Sequence, residues 1–258
     1  MPTGVAVDGS GNMYVADFAN HRIQKLTQAT NTWSEWGKAG GGEGSGLGEF
    51  NAPVGVAVDN IGNVYVAELG NHRIQKLTVS TNTWSEWGKS GGGPGDALGE
   101  FNTPIGVAVD SDRNVYVADY SNHRVQKLIV STNTWSEWKK SDGGSGSDLG
   151  EFNRPSGVAV DGSGNVYVAD SGNHRIQKLT LSGNAWSEWG KSGGGPGTGL
   201  GEFLTPTGIA LDGIGNVYVT DSVNHRVQKL TVSTNGWSEW KKSGAGSGIG
   251  LGEVDSPF

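Results

Sequence analysis

The chain has no cysteine, and several other features are scarce as well. Without thiols it can form neither disulfides nor thiolate metal sites. It holds 19 Lys and Arg against 26 Asp and Glu, for a net charge of -7. An acidic chain is a poor electrostatic match for nucleic acid or anionic lipid. No apolar run approaches the roughly 20 residues of a membrane span. We therefore expect no nucleic-acid partner and no membrane partner.

The beginning of the chain shows no targeting pattern. Met1-Pro-Thr-Gly4 enters the repeated sequence at once, so we expect no signal peptide in this chain. Since a transmembrane segment is also missing, we expect a soluble protein. The lack of cysteine does not choose a compartment, and both a bacterial secreted and a cytoplasmic location stay open.

What the chain has in abundance is repetition. One unit recurs five times at a step of 51 residues, as its first aspartates show: Asp8, Asp59, Asp110, Asp161 and Asp212. All five histidines keep this step, and the ten tryptophans fall two to a unit. Stacked repeats share one continuous structure. We therefore predict a single domain over 1–258, with a truncated sixth repeat starting at 256–258 and five blades at about 1–51, 52–102, 103–153, 154–204 and 205–255.

Four short strands are predicted in each unit, and no helix. In the first unit they cover 4–8, 13–17, 22–27 and 32–36, separated by turns rich in Gly and Asn. Turns this tight indicate an antiparallel meander. Ile23 and Leu26 are three apart, as are Trp33 and Trp36, so large apolar groups lie on both faces of the sheet. This pattern favours sheets stacked around an axis, the arrangement of a β-propeller.

A Gly-rich connector, 37–51, follows the fourth strand and carries Leu47 and Phe50 as predicted apolar anchors. It must cross about 14 Å from the last strand of one sheet to the first strand of the next. Each unit holds all four strands of its blade, so no strand is shared to close a ring. We expect five blades to close by packing alone. An open ring, a fragment of a longer array or an oligomer remain as alternatives.

Three motifs in each unit resemble the NHL repeat. In the second unit they read Pro53-Val-Gly-Val-Ala-Val-Asp59, Gly62-Asn-Val-Tyr-Val-Ala-Glu68 and Asn71-His-Arg-Ile-Gln-Lys-Leu77. The resemblance covers essentially the whole chain. It implies a propeller of four-stranded blades, commonly about six of them. The present chain departs from that pattern with five units, each longer than is usual for the family. Their near-identity indicates a recently amplified blade or an engineered array.

An acidic residue and an arginine recur at the second and third strands of every unit. Five copies spread over five blades do not converge on one substrate, so we interpret them as a structural network instead of an acid–base or metal site. The Asp8 turn weakly resembles a calcium loop, but a hairpin turn is the simpler interpretation. We expect no catalytic residue, no metal and no cofactor. The network consists of Asp17 and Arg22, Glu68 and Arg73, Asp119 and Arg124, Asp170 and Arg175, and Asp221 and Arg226.

The tryptophans are the candidate binding residues. Trp is common both in cores and at binding hot spots. One of each pair is expected to pack between blades and the other to be partly exposed on the outermost strand, where it could bind a peptide or a sugar ring. Pure packing is the alternative. The candidates are Trp36, Trp87, Trp138, Trp189 and Trp240.

These patterns predict a non-catalytic NHL-type propeller that acts as a protein-interaction or structural scaffold. Its expected partner is a protein or peptide, and the chain is expected to be a monomer unless five blades fail to close. One alternative is a multivalent lectin-like binder of glycans or peptides. A lesser alternative is a lyase-type propeller enzyme, because the resemblance includes such enzymes.

Overall fold

The computed structural model describes residues 1–241 and shows an all-β, five-bladed propeller fold built of four-stranded antiparallel sheets. The first blade consists of β1 (Pro2–Val7), β2 (Met13–Asp17), β3 (Arg22–Thr27) and β4 (Thr32–Gly37). The other sixteen strands repeat this order: β5 (Pro53–Val58), β6 (Val64–Glu68), β7 (Arg73–Thr78), β8 (Thr83–Gly88), β9 (Pro104–Val109), β10 (Val115–Asp119), β11 (Arg124–Ile129), β12 (Thr134–Trp138), β13 (Pro155–Val160), β14 (Val166–Asp170), β15 (Arg175–Thr180), β16 (Ala185–Gly190), β17 (Pro206–Leu211), β18 (Val217–Asp221), β19 (Arg226–Thr231) and β20 (Gly236–Lys241).

The predicted fold class is confirmed, with one repeat to a blade and, within residues 1–241, no strand shared between blades. Short 3₁₀ turns lie at Phe18–Asn20, Tyr120–Asn122, Ser171–Asn173 and Leu181–Gly183. The chain divides into two compact units: the first is Met1–Glu137, and the second begins at Trp138. The expected end of the fifth blade near 255 and the expected sixth repeat at 256–258 lie outside the described residues. Residues 1–241 contain no helix that is long and apolar enough to cross a membrane.

The turn between β1 and β2 is organised by the carboxylate of Asp8. Its Oδ1 accepts the amides of Ser10 and Asn12 at 2.9 and 3.0 Å, and its Oδ2 accepts Asn12 Nδ2 at 2.8 Å and the Tyr14 hydroxyl at 3.1 Å. Burial raises the pKa of Asp8, but the hydrogen bonds from Asn12, Ser10 and Tyr14 outweigh it and leave this pKa below its usual value. The carboxylate is therefore committed to the turn.

The first strands of neighbouring blades approach closely, which explains a repeated glycine. A Cβ on Gly4 would overlap the carbonyl oxygen of Val54, and one on Gly55 would overlap that of Ile105. Thr3, beside the first of these glycines, donates its hydroxyl to the same Val54 carbonyl at 3.1 Å. Any larger residue at the glycine position would push the two strands apart.

Within each compact unit, neighbouring blades meet in a seam that is a single hydrophobic core drawn from two sheets. The first seam combines Tyr14, Ala16 and Ile23 of one blade with Val56, Val64, Val66 and Leu77 of the next. We call the face that carries Tyr14, Ala16 and Ile23, and its equivalents, the forward face. The opposite face, with Val56, Val66 and Leu77 and their equivalents, is the rear face. An equivalent core joins the second and third blades. Another joins the fourth and fifth blades, which lie in the compact unit that begins at Trp138.

The strand register explains why both faces carry large apolar groups. Ile23 is paired with Trp36, and Leu26 is paired with Trp33. Since residues three apart in a strand point to opposite faces, the two pairs lie on opposite faces of the sheet, and in the second blade the equivalent pairs belong to two different seams. Burial of one Leu, Val or Ile side chain contributes about 1.5–3 kcal/mol, so these repeated cores supply most of the stabilising free energy.

Candidate functional site

In the second blade one arginine uses every N–H that it has. Arg73 Nε donates to Glu68 Oε1 at 2.6 Å, and Nη1 donates to Glu86 Oε2 at 2.5 Å. The remaining donors reach carbonyl oxygens of the preceding connector: Ser45 at 2.7 Å, Gly46 at 3.0 Å and Glu49 at 2.9 Å. A guanidinium has five donors. The arginine therefore fastens the connector to the blade that follows it.

Two amide side chains complete this attachment. Gln75 Nε2 donates to the Glu49 carbonyl at 2.7 Å, and its Oε1 accepts the Gly48 amide at 2.9 Å. Asn71 Nδ2 donates to the Gly44 carbonyl at 2.8 Å. We call the acidic residue, Asn, Arg and Gln of one blade the connector cradle. Sequence reasoning missed the connector as its target, although a glutamine in the same place of all five units was a signal.

The structure brings together every acidic residue and arginine of the predicted network. Nε–carboxylate distances range from 2.6 to 3.0 Å. Glu68, Asp119, Asp170 and Asp221 have no exposed surface. Burial raises the pKa of Glu68, Asp119 and Asp170 against the opposing effect of their arginines. Asp17 is less enclosed: burial raises its pKa, but hydrogen bonds from Asn20 and Arg22 outweigh this and lower it.

The histidines hold the end of the connector. His21 has a left-handed backbone (φ 52°), and its Nδ1 accepts the amide of Ala52 at 3.1 Å. His72 accepts the amide of Thr103 in the same way at 3.0 Å, and burial lowers the pKa of His72. A neutral ring is required to accept through Nδ1. Among the residues that the structure describes, no group of three or more His, Asp or Glu side chains could hold a metal ion.

The first seam contains both tryptophan positions of the repeat, Trp36 from one blade and Trp84 from the next. Trp36 stacks on Tyr14 with ring centroids 6.4 Å apart, and its ring meets Trp84 of the next blade edge-on at 6.3 Å. Trp84 in turn packs on Phe50 of the connector at 5.4 Å. The predicted binding residues Trp36, Trp87, Trp138 and Trp189 are therefore half-buried. Trp240 differs, because 47% of its surface is exposed.

The connector has one apolar anchor instead of the two that were predicted. Phe50 is fully buried, whereas Leu47 keeps 56% of its surface exposed. The Trp84 indole explains the difference, because it lies over Phe50 and over Gly48, where a Cβ would sit 3.0 Å from the ring. Gly48 also has a left-handed φ of 77°. Leu47 stays outside the core that encloses Phe50.

A groove of about 850 Å³ opens between the end of β4 and the connector after it. Its walls include Trp36, Leu47 and Trp84, with the charged side chains of Glu35 and Lys38 beside them. We call this the fourth-strand groove. It combines an exposed apolar side chain, two indole edges and charges of both signs, and these are features of a surface that binds a peptide more than of a reaction centre.

The fold and these repeated sites define a β-propeller of four-stranded blades in which the second to fifth blades each hold the connector that precedes them. The NHL repeat model matches residues 1–26, 50–77, 101–128, 152–179 and 203–230, and the chain belongs to the NHL repeat family. Each match covers the first three strands of a blade and ends before the fourth. The family prediction is thereby confirmed.

Similar proteins include enzymes as well as proteins named only for their repeats. The chain is 25% identical over 92% of its length to SUPPRESSOR OF QUENCHING 1 of Arabidopsis thaliana, and 32% identical over 52% of its length to peptidyl-glycine alpha-amidating monooxygenase of Mus musculus. It spans only 26% and 14% of those two proteins. Virginiamycin B lyase from Staphylococcus aureus shares the fold, with a TM-score of 0.65 at 14% identity over 93% of this chain and 69% of the lyase.

Proposed function

We propose that this chain is a non-catalytic NHL propeller that acts as a protein-interaction or structural scaffold. One observation carries the proposal: the side chains best suited to acid–base chemistry are already engaged in contacts that hold the connectors. The histidines accept backbone amides, and the acidic residues pair with arginines that donate to connector carbonyls. Catalysis needs different residues that converge on one substrate. Connector cradles that repeat from blade to blade instead attach each connector to the blade that follows it.

The enzymes among the similar proteins do not alter this proposal. The mouse amidating monooxygenase matches this chain over only 14% of its own length, and the lyase shares only 14% of aligned residues. Their activities are therefore properties of those proteins. NHL repeat-containing protein 2 of Bos taurus, which is 25% identical over the whole chain, is named for its repeats alone.

The surface that supports binding is the fourth-strand groove, together with the exposed connector leucines that recur along the chain. The connector leucines stay exposed at the same position of four units, with exposed fractions of 56, 52, 51 and 54% for Leu47, Leu98, Leu149 and Leu200. An apolar side chain kept in water beside an indole is a suitable anchor for a partner's apolar residue. A partner peptide with two such residues would gain from the repeat by multivalency.

Selection from a displayed peptide library on the immobilised full chain tests this function. Selected peptides are then titrated against a variant with all four connector leucines replaced by Ser. The matched control carries Val79→Ser, Leu181→Ser and Val232→Ser, three residues with exposed fractions of 43, 45 and 46% in another turn. We expect binding to weaken at least about tenfold in the first variant, equal to about 1.4 kcal/mol, and to stay unchanged in the control.

Two results would contradict the proposal. Peptide affinities that are equal in both variants would remove the groove as the binding surface. Release of product from a peptidyl-alpha-hydroxyglycine or from a streptogramin B, in the presence of added divalent metal, would show a catalytic protein. A glycan array measured in parallel distinguishes a peptide-binding scaffold from a lectin, because a lectin would bind sugars through the same indoles.

A further inference from the structure

The rear face of the first blade is uncovered, unlike the rear face of the second. Val5 is 63% exposed, whereas the equivalent Val56 is 8% exposed. Trp33 is 54% exposed, whereas the equivalent Trp84 is half-buried against Phe50 of a connector. The first blade thus presents an apolar surface with the same residue types that pack into a core one repeat later.

The connector cradle of this blade is also incomplete. Arg22 donates to Asp17 at 3.0 Å and to Glu35 at 2.6 Å, and it reaches no connector carbonyl among the described residues. Its side chain is 34% exposed, against 9% for Arg73. Within residues 1–241, Gln24 has no side-chain hydrogen bond, whereas Gln75 makes three. The first blade has all parts of a cradle and holds no connector from the described chain.

A forward face is uncovered on the fifth blade. Trp240 is 47% exposed, although the equivalent Trp36 and Trp87 are half-buried in seams. Val227 is only half-buried, whereas the equivalent Ile23 and Ile74 have no exposed surface. The apolar side chains that would complete a seam are therefore present here, and no rear face among residues 1–241 covers them.

We propose that two copies of this chain associate head to tail, with the forward face of the fifth blade of one copy on the rear face of the first blade of the other. The argument is continuity with an established interface. Every seam inside the two units is built from these same two faces. Two different surfaces meet in such a contact, so the association is heterologous and a second copy leaves one free face at each end.

The test is the mass of the full chain in solution by light scattering, from low to high micromolar concentration. We expect a mass that rises above 26.9 kDa with concentration. Val5→Lys blocks the rear face and should return the protein to 26.9 kDa, and Trp240→Lys should do the same at the forward face. Ile214→Lys is the control, since this residue is 85% exposed in a turn and belongs to neither face.

Mixing the two blocked variants distinguishes this contact from all symmetric ones. Val5→Lys keeps a free forward face and Trp240→Lys keeps a free rear face, so the mixture should form a species of twice the monomer mass while each variant alone does not. A wild-type chain that stays at 26.9 kDa at all concentrations would overturn the proposal, as would a mixture that stays monomeric. Circular dichroism of each variant, unchanged from wild type, shows that folding is retained.

Discussion

The connector cradle allows one strong prediction, because its arginine can be compared in a complete cradle, at Arg73, and in an incomplete one, at Arg22. Arg73→Ala removes five hydrogen bonds and leaves Glu68 without its ion-pair partner in a place with no exposed surface. Breaking a buried pair in this way costs about 3–5 kcal/mol. Arg22→Ala removes two ion pairs at a partly exposed position. A pair of that kind is worth about 1 kcal/mol or less.

The two variants should therefore differ by about 1–5 kcal/mol in the free energy of unfolding, although they change the same repeat position. Urea unfolding at low protein concentration measures this, followed by far-UV circular dichroism and by tryptophan fluorescence. Coincidence of the two transitions justifies the conversion to a free energy. Arg73→Lys is a useful third variant, since it keeps the charge and loses the planar fork.

Equal losses for the two alanine variants would refute the reasoning. That result would mean that the arginine contributes only its local ion pair and that the connector carbonyls add nothing. A full recovery with Arg73→Lys would likewise assign the whole effect to charge. We expect Arg73→Lys to recover less than half of the loss.

Three further predictions concern the backbone and two titrating groups. Gly99→Ala should destabilise more than Gly92→Ala in urea: both have φ of 80°, which costs about 1–2 kcal/mol for an alanine, but only Gly99 has an indole, that of Trp135, 2.9 Å from the added Cβ. Equal losses would exclude the indole as the cause. The pKa of Asp8 is lowered in the folded protein, so its carboxylate contributes its full stabilisation above the usual Asp pKa and loses it as pH falls through the folded value. The thermal unfolding midpoint should therefore decrease at pH values below about 4, and it should decrease less in Asp8→Asn. Burial, with the charge of Asp8 second, raises the pKa of Tyr14 from 10.0 to about 12, so the fold should lose stability as pH rises between these values, and an absorbance titration of wild type against Tyr14→Phe should show the late phenol.

Much of the fold could be predicted because the repeat amplifies weak local signals. The spacing of Ile23 and Leu26 alone is ambiguous, but five copies of it indicate sheets buried on both faces. Gly4, by contrast, has its explanation in a tertiary contact, because the Val54 carbonyl leaves no room for a Cβ there. Period-two patterns are set by covalent geometry, so they can be read before any tertiary contact is known.

The candidate site was less predictable, because its contacts join residues of different repeats through the main chain. A carbonyl oxygen has no sequence signature, so nothing in 37–51 marked Ser45 or Glu49 as an acceptor for Arg73. Leu47 and Phe50 are equally apolar by composition, and only the position of the Trp84 ring decides which of them is covered. The tryptophan pairs were similarly ambiguous, since both positions meet at one seam.

Because a connector cradle binds the end of one repeat to the middle of the next, it constrains how the length of the chain can change. Ser45 and Arg73, which are 28 residues apart, meet in one such junction. Recombination that adds or deletes one whole repeat restores an intact cradle wherever the crossover falls, since both halves return in register. A change of any other length within 37–51 separates carbonyls from their arginine. Variation in blade number is thus the change in chain size that this architecture accepts with least damage.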